Sequence, residues 1–482
     1  MITDEIIYQI GQHFPFAPTT EQQQAIATFA HFLTDRTPHT AMILRGSAGT
    51  GKTALAGAFV RTLLGLKQRV VLLAPTGRAA KVFSLNSGCP AYTIHRKIYR
   101  EKAFVGVGGT FNLNVNLMRD TLFIIDEASM IGTSHLMEGG SESFGSGDLL
   151  SDVISFVYSG ENDRILFIGD GAQLPPVGEE ASPALQEDIL AGFGLSVYAA
   201  DLTEVLRQGR RSGILHHASM IRDMLANEEE ATVPQIDFDH FTDIRNCPGA
   251  ELIDTLSASY HDVGLDDTIV ITRSNKRANI YNQGIRNQVL DREELLTPGD
   301  MVMVVKNNYH YQIAQEDADG RKNILSPFIA NGDRAQVLRV REETELYGFH
   351  FATVTLRFPD YDNTEVVATV LLDTLVSEAP SLNREQQEQL FKGVYDDYFD
   401  IPRKADRMKK VREDKFFNAL QLKFAYAVTC HKAQGGQWSH VYVDQGYMTD
   451  EMVTPDYLHW LYTAFTRATE KLYLVNWKKE TD

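Results

Sequence analysis

The sequence predicts an α/β protein made of two parallel-sheet units, with a small antiparallel barrel inserted into the second. Three observations carry this expectation. Short apolar runs in the first half, Ala41 to Leu44, Val70 to Leu73, Leu122 to Ile125 and Ile165 to Ile168, are soon followed by Gly, Pro or Asp. Longer mixed segments separate them, as crossover helices separate buried parallel strands. The same texture returns at Thr268 to Thr272, Lys423 to Val428, Val441 to Val443 and Leu472 to Val475. Between these later runs lie LTPGDMVMVVKNNY, IANGDRAQVLRV, FHFATVTLRF and EVVATVLLD, alternating or β-branched stretches broken by Gly-Asp, Asn-Gly and Pro-Asp turns. That pattern is expected of a small antiparallel barrel.

At 482 residues the chain has room for about three cored units of ~150 residues each. Its 43% hydrophobic and 23% charged content is that of a globular enzyme. A formal net charge of −18 excludes a protein that coats nucleic acid indiscriminately, since such binding rests on phosphate neutralisation by Lys and Arg. Any nucleic-acid contact is therefore expected in a confined groove. Cys89, Cys247 and Cys430 have neither metal-ligand nor paired spacing, which predicts no zinc site and no disulfide framework. The stretch MITDEIIYQIGQHF has no basic leader, and no run reaches the ~18 apolar residues of a membrane span, so the expected location is cytoplasmic.

In chain order, the first chemical signal is GSAGTGKT: Gly46, Ser47, Ala48, Gly49, Thr50, Gly51, Lys52 and Thr53. It follows an apolar run and precedes a helix-like segment. Backbone amides and a helix N-terminus are thereby expected around phosphate, with Lys52 on the β and γ phosphates of ATP and Thr53 on Mg2+. IIDEAS then supplies adjacent carboxylates at a strand end. Asp126 is expected to hold Mg2+, and Glu127 to position and deprotonate an attacking water. GDGAQLPPVG places Asp170 and Gln173 beside the same strand edge, with Gln173 expected to sense the γ-phosphate.

Other segments carry structure more than chemistry. KAFVGVGGTFNLNVNL, Lys102 to Leu117, alternates on both sides of Gly108 and Gly109 and reads as a hairpin. Met137 to Asp152 reads as a flexible loop. From Asn383, with Gln386 at capping-box spacing, a charged helical stretch runs to about Phe417.

Taken together these motifs resemble superfamily 1 helicases, most closely the RecD and Dda type of the 1B branch, over nearly the whole chain. TTEQQQA resembles the adenine-reading glutamine motif, which implies Gln22 as adenine contact. VLLAPTGRAAK and AYTIHR resemble motifs Ia and Ib, LTEVLRQ motif IV, AVTCHKAQGGQW motif V and LYTAFTRATEKLYLV motif VI. Ala433 and Gln437 depart from the Ser and Glu usual in motif V. The resemblance implies Gly435 near ATP, and Arg207 and Arg467 reaching the γ-phosphate across a cleft between two RecA-like domains. It also implies a single strand held by Thr76, Thr93 and His95 in one domain and by Thr272, Asn275 and His431 in the other.

The implied organisation is a domain 1A over 1–200 with a 1B hairpin at 97–120, a domain 2A over 201–299 and 418–482, and an SH3-like 2B barrel with helices over 300–417. Phe104 and Phe111 on the hairpin are the candidate strand-separation pin, although strand aromatics are commonly core. The implied activity is ATP-dependent 5′→3′ unwinding of DNA, with single-stranded DNA and a duplex fork as partners. An RNA helicase and a P-loop kinase or small-molecule ATPase remain alternatives, and protein partners are not indicated.

Overall fold

The computed structural model describes residues 2–105, 108–133, 143–205, 212–227, 232–316, 322–326 and 328–477. The first unit is a six-stranded, wholly parallel sheet in the order Ala91–Thr93, Arg69–Ala74, Thr121–Ile125, Arg164–Gly169, Thr40–Gly46, Ser196–Leu202. The central strands are apolar along nearly their whole length because both faces are covered. One apolar layer joins the Thr20–Thr34 and Lys52–Gly65 helices to Leu44, Ile124 and Ile168, and the opposite layer joins the Leu149–Tyr158 helix to Ile43, Phe123 and Phe167. Ser196–Leu202 pairs along all of Thr40–Gly46, so the first unit extends past the expected limit at 200.

The second unit is a five-stranded parallel sheet in the order Ile244–Cys247, Ala468–Val475, Trp438–Asp444, Thr268–Thr272, Ala427–Thr429. Its apolar core is continuous with that of a closed barrel formed by Met301–Val304, Arg334–Leu346, Phe349–Phe358, Thr364–Leu371 and Leu420–Phe424. The run expected as one strand at Lys423 to Val428 is therefore two. Val302 pairs with Phe424 in the barrel, while Val270 pairs with Ala427 in the sheet. Tyr426 turns the corner between them, its hydroxyl donating to Asp300 at 2.8 Å and accepting from Met301 N at 3.1 Å.

The charged stretch after Asn383 forms the helices Arg384–Asp397 and Lys404–Glu413. The expected capping box is present: Gln386 N donates to Asn383 Oδ1 at 2.9 Å and Asn383 N to Gln386 Oε1 at 3.0 Å. Leu390, Val394 and Val411 pack on Phe349, Phe351 and Leu371, so the helices brace the barrel wall.

Tyr99–Val105 and Gly108–Leu113 pair antiparallel as expected, but Gly108 and Gly109 begin the second strand instead of forming the turn. Ser143–Phe144 adds a third strand and Asp148 caps the Leu149–Tyr158 helix, so the C-terminal part of the expected 137–152 loop is ordered structure. The rest of that expected loop, 137–142, lies outside the described residues.

Phe111 is 5% exposed, and its ring lies 4.4 Å from that of Tyr309 ahead of the barrel's second strand. It packs the hairpin down and is not available as a wedge. Phe104 pairs with Gly109, and its side chain lies outside the described residues.

Candidate nucleotide site and strand-facing residues

Thr40–Gly46 is a central strand whose carboxyl end feeds the loop Ser47–Gly51 and then the Lys52–Gly65 helix. Gly49 (φ 77°) and Gly51 (φ 85°) adopt left-handed backbone, which a side chain would strain, and this curls the loop over the helix N-terminus. A Cβ on Gly46 would lie 2.9 Å from both Lys52 Cγ and Thr50 Oγ1, so the cradle closes only with glycine there. Lys52 folds inward. Its Nζ donates to the Gly46 carbonyl and, at 2.9 Å, to the Ser47 carbonyl, and it lies 3.8 Å from Asp170 Oδ2.

Gln22 is 1% exposed and its amide is engaged at both ends. Oε1 accepts from Thr19 N at 3.0 Å, and Nε2 donates to the Thr50 carbonyl at 2.9 Å. This arrangement ties the Thr20–Thr34 helix to the phosphate-type loop. Adenine reading by Gln22 would have to share these bonds. Next to it, Glu21 accepts from Thr203 N at 2.6 Å and Glu204 N at 2.9 Å, fixing the segment that leaves the first sheet.

Asp126 and Glu127 follow Thr121–Ile125 as expected. Glu127 adopts a left-handed backbone (φ 52°), and its N–H donates to Asp126 Oδ1 at 2.9 Å. Burial, then the neighbouring Glu127 charge, pushes Asp126 up to about 7. Asp170 is buried at the end of the next strand, and Gln173 N donates to its carbonyl at 3.2 Å. Gln173 Oε1 is buried without a hydrogen-bond partner, an acceptor waiting for a donor. Thr53 is exposed in the first helical turn.

The second unit closes directly on this site. Tyr462, in the Pro455–Phe465 helix, donates its hydroxyl to Asp170 Oδ2 at 2.7 Å and accepts from Ala48 N at 2.9 Å. Thr463 accepts from Leu174 N at 2.7 Å, and Gln434 Nε2 donates to the Leu174 carbonyl at 2.9 Å. Arg222, in the Gly213–Asn227 helix, donates to Ser47 Oγ at 2.7 Å.

Arg467 departs from expectation. It is 3% exposed and donates to the Thr463 carbonyl at 3.0 Å, the Gly436 carbonyl at 3.2 Å and Thr466 Oγ1 at 3.1 Å, all within its own unit. These carbonyls satisfy the charge locally, so the guanidinium does not reach across the cleft. Arg207 lies outside the described residues. Gly435 (φ 75°) sits against motif Ia, where a Cβ would lie 3.1 Å from Ala79 Cβ, 3.3 Å from Thr76 Oγ1 and 3.9 Å from Glu127 Cγ. It joins the expected ATP and strand residues but is not part of the phosphate cradle.

Of the six expected strand contacts, Thr76 and Thr93 are half-buried helix caps, accepting from Ala79 N at 3.2 Å and Arg96 N at 3.4 Å. His95 is half-buried, and burial lowers it to about 4, so it is neutral near pH 7. Thr272 is fully buried and donates to the Ser274 carbonyl at 3.1 Å, which removes it from any open track. Asn275 and His431 are exposed.

Arg78, unassigned from sequence, donates to the Gln437 carbonyl at 2.6 Å and lies 4.4 Å over the Trp438 ring. Lys81 and Arg96 donate to the Pro359 and Leu325 carbonyls, so the first unit's cations hold the second unit and barrel. Arg222 and Tyr462 were also missed. Tyr462 lies inside the motif VI match, whereas nothing local marks Arg222.

The cradle, the paired carboxylates and the closing second unit define a P-loop site that faces a cleft between two α/β units. Residues 18–139 match the AAA domain family, and residues 424–475 match the UvrD-like helicase C-terminal domain family. The ATP-dependent RecD2 DNA helicase of Deinococcus radiodurans is 29% identical over 180 residues, which is 37% of this chain and 21% of that protein. An uncharacterised protein of Methanocaldococcus jannaschii is 30% identical over 28% of this chain and 11% of its own length. The matched part thus spans about a fifth or less of either relative.

Among solved structures, a Bacteroides Pif1 helicase in complex with ADP-AlF3 and single-stranded DNA aligns over 96% of this chain and 93% of its own. It does so at 14% identity and a TM-score of 0.46. Pif1 helicase from Candida albicans aligns over 96% of both chains at 16% identity and a TM-score of 0.40. The two family matches, in order on one chain, and the RecD2 relative make this chain similar to the RecD-like helicases of superfamily 1B.

Proposed function

We propose that this protein is an ATP-driven 5′→3′ DNA helicase that moves along single-stranded DNA. The observation that carries the reading is the grip of the second unit on the phosphate cradle: Arg222 on Ser47 and Tyr462 on Ala48. A nucleotide in that cradle would necessarily alter how the units meet, which is what a motor requires and a small-molecule kinase does not.

In this reading the loop amides and Lys52 bind the phosphates, Thr53 and Asp126 hold Mg2+, Gln173 meets the γ-phosphate end, and Glu127 orients water and takes its proton. Two protein oxygens suit Mg2+, which commonly keeps several waters, and Mg2+ would neutralise phosphate charge. The domain names follow the sheets: 1A ends after Leu202, the 1B hairpin rises from it, and the 2B barrel takes Leu420–Phe424 from the segment expected in 2A. Thr76, Thr93, Asn275 and His431 line the strand's path, and Phe104 is the remaining pin candidate. Among the described residues no helix is long and apolar enough to cross a membrane, and we place the protein in the cytoplasm.

The test is ATPase stimulation by single-stranded DNA against RNA, with unwinding of duplexes carrying either a 5′ or a 3′ tail. DNA-stimulated turnover with 5′-tail unwinding is expected. Stimulation by RNA alone would make the substrate RNA, and turnover indifferent to both would make this a small-molecule ATPase.

A further inference from the structure

We propose that Arg222 is an arginine through which the second unit reads the phosphates of bound ATP, a role the helicase motifs do not give it. The Gly213–Asn227 helix that carries it belongs to the second unit, packing on the Pro455–Phe465 helix and the Ala468–Val475 strand. Yet the guanidinium reaches the first unit. Its NH1 donates to Ser47 Oγ at 2.7 Å and to the Thr203 carbonyl at 3.3 Å, while Nε and NH2 are held by Asp223 Oδ1 at 3.1 and 2.8 Å. Asp223 is the adjacent residue and 61% exposed in its side chain, so it orients the fork without drawing it off the loop.

Two further observations make this a phosphate position. Ser47 and Ala48 are adjacent in the cradle, and both are gripped by the same pair of packed helices, through Arg222 and Tyr462. The helix also seats against the loop itself: a Cβ on Gly49 would lie 3.2 Å from Leu215 Cδ1. Arg222 thus stands at the cradle on the second unit's side, its guanidinium held by one carboxylate, Asp223, and by two neutral oxygens, Ser47 Oγ and the Thr203 carbonyl. A triphosphate brings strong acceptors to the cradle, and a planar guanidinium exchanges a hydroxyl and a carbonyl for charged oxygens favourably. Arg467, by contrast, is bound to carbonyls of its own unit.

The inference rests on the proposed function only for ATP as the ligand, so its test omits polynucleotide. Binding of fluorescent ADP and of a fluorescent non-hydrolysable ATP analogue is measured with Arg222→Gln and Arg222→Lys in the full chain, alongside basal kcat. Loss of a charged donor to developing negative charge is expected to lower kcat about 100-fold in Arg222→Gln. The same variant should bind the ATP analogue at least about tenfold less tightly relative to ADP. Arg222→Lys should recover analogue binding in part but not kcat, because it restores the charge without the fork.

An unchanged analogue-to-ADP ratio with unchanged kcat would overturn the assignment. So would equal loss of both nucleotides together with a lowered thermal midpoint, which would mark Arg222 as merely structural. Failure of single-stranded DNA to stimulate the wild-type ATPase would refute the motor while leaving this result standing.

Discussion

Replacing Tyr462 with Phe keeps the ring and removes one oxygen that joins the two units. That oxygen accepts from Ala48 N at 2.9 Å and donates to Asp170 Oδ2 at 2.7 Å, and the residue is 1% exposed. Burial, then the Asp170 charge, raises the phenol well above its ordinary value, so it remains a donor throughout the working pH range. A neutral hydrogen bond contributes about 0.5 to 1.5 kcal/mol net and one to a charged group about 1.5 to 3 kcal/mol. Asp170 keeps Ala172 N at 3.1 Å and Lys52 Nζ at 3.8 Å, so the lower end applies, about 2 kcal/mol. That is roughly a 30-fold change in the docked-to-undocked ratio. Hydrogen exchange of the loop containing Ala48, without nucleotide, is the direct reporter, because undocking exposes this amide. Exchange there is expected to quicken about 30-fold in Tyr462→Phe while the Thr20–Thr34 helix is unchanged. Wild-type exchange at Ala48 would show that the contact does not hold the units together.

Lys52→Ala is expected to abolish hydrolysis and Glu127→Gln to stop turnover while sparing nucleotide binding, both read by steady-state ATPase and equilibrium binding. Phe111→Ala should cost about 3 to 5 kcal/mol of local stability, seen as a lower thermal midpoint, whereas Phe104→Ala should keep DNA-stimulated ATPase and impair unwinding. Asp333 gives the pH prediction. It is 4% exposed, and burial lifts it to about 7 although it accepts from Ala330 N at 2.7 Å and Tyr361 Oη at 3.1 Å. A raised carboxyl contributes stability below its unfolded value near 3.8 and loses it as pH rises to about 7, so the thermal midpoint should fall over that window. Asp333→Asn should flatten that fall, and an identical slope in the variant would exclude this group as its source.

What was legible in the sequence was local. Lys52, Thr53, Asp126 and Glu127 stand where strand-end and loop geometry puts them, because a buried strand running into a glycine-bearing loop or an acidic pair fixes its own exit. What was not legible depends on distant partners. LQLKFAYAVT alternates apolar and polar residues up to Phe424 and then runs apolar to Val428, but periodicity within one run could not show the chain leaving the barrel at Phe424 and entering the sheet at Ala427. Alternation placed Phe111 on one face of a strand but could not show that Tyr309 covers it. Thr272 reads as an available hydroxyl at a strand end until the Ser274 carbonyl takes it. Arg222 lies in an ordinary amphipathic helix, and only the packing of that helix brings it to Ser47.

The same contacts explain how nucleotide could move the units. Each group that phosphate would engage already has a protein partner: Lys52 on the Gly46 and Ser47 carbonyls, Ala48 N on Tyr462, and Arg222 on Ser47 and Thr203. Arriving phosphate therefore exchanges hydrogen bonds instead of filling vacant ones, and the net gain comes from replacing neutral acceptors by charged ones. Two of the displaced partners, Tyr462 and Arg222, belong to the second unit. Nucleotide binding must break or re-aim contacts that set how the units dock, so its affinity differs between dockings, and that difference is the condition for a ligand to shift a conformational equilibrium. The closing helix ends two residues before Arg467, whose carbonyl partners, Thr463 and Gly436, lie in that helix and in motif V. Thr463 is the residue next to Tyr462, so the exchange at Ala48 bears directly on the segment that holds Arg467 inward.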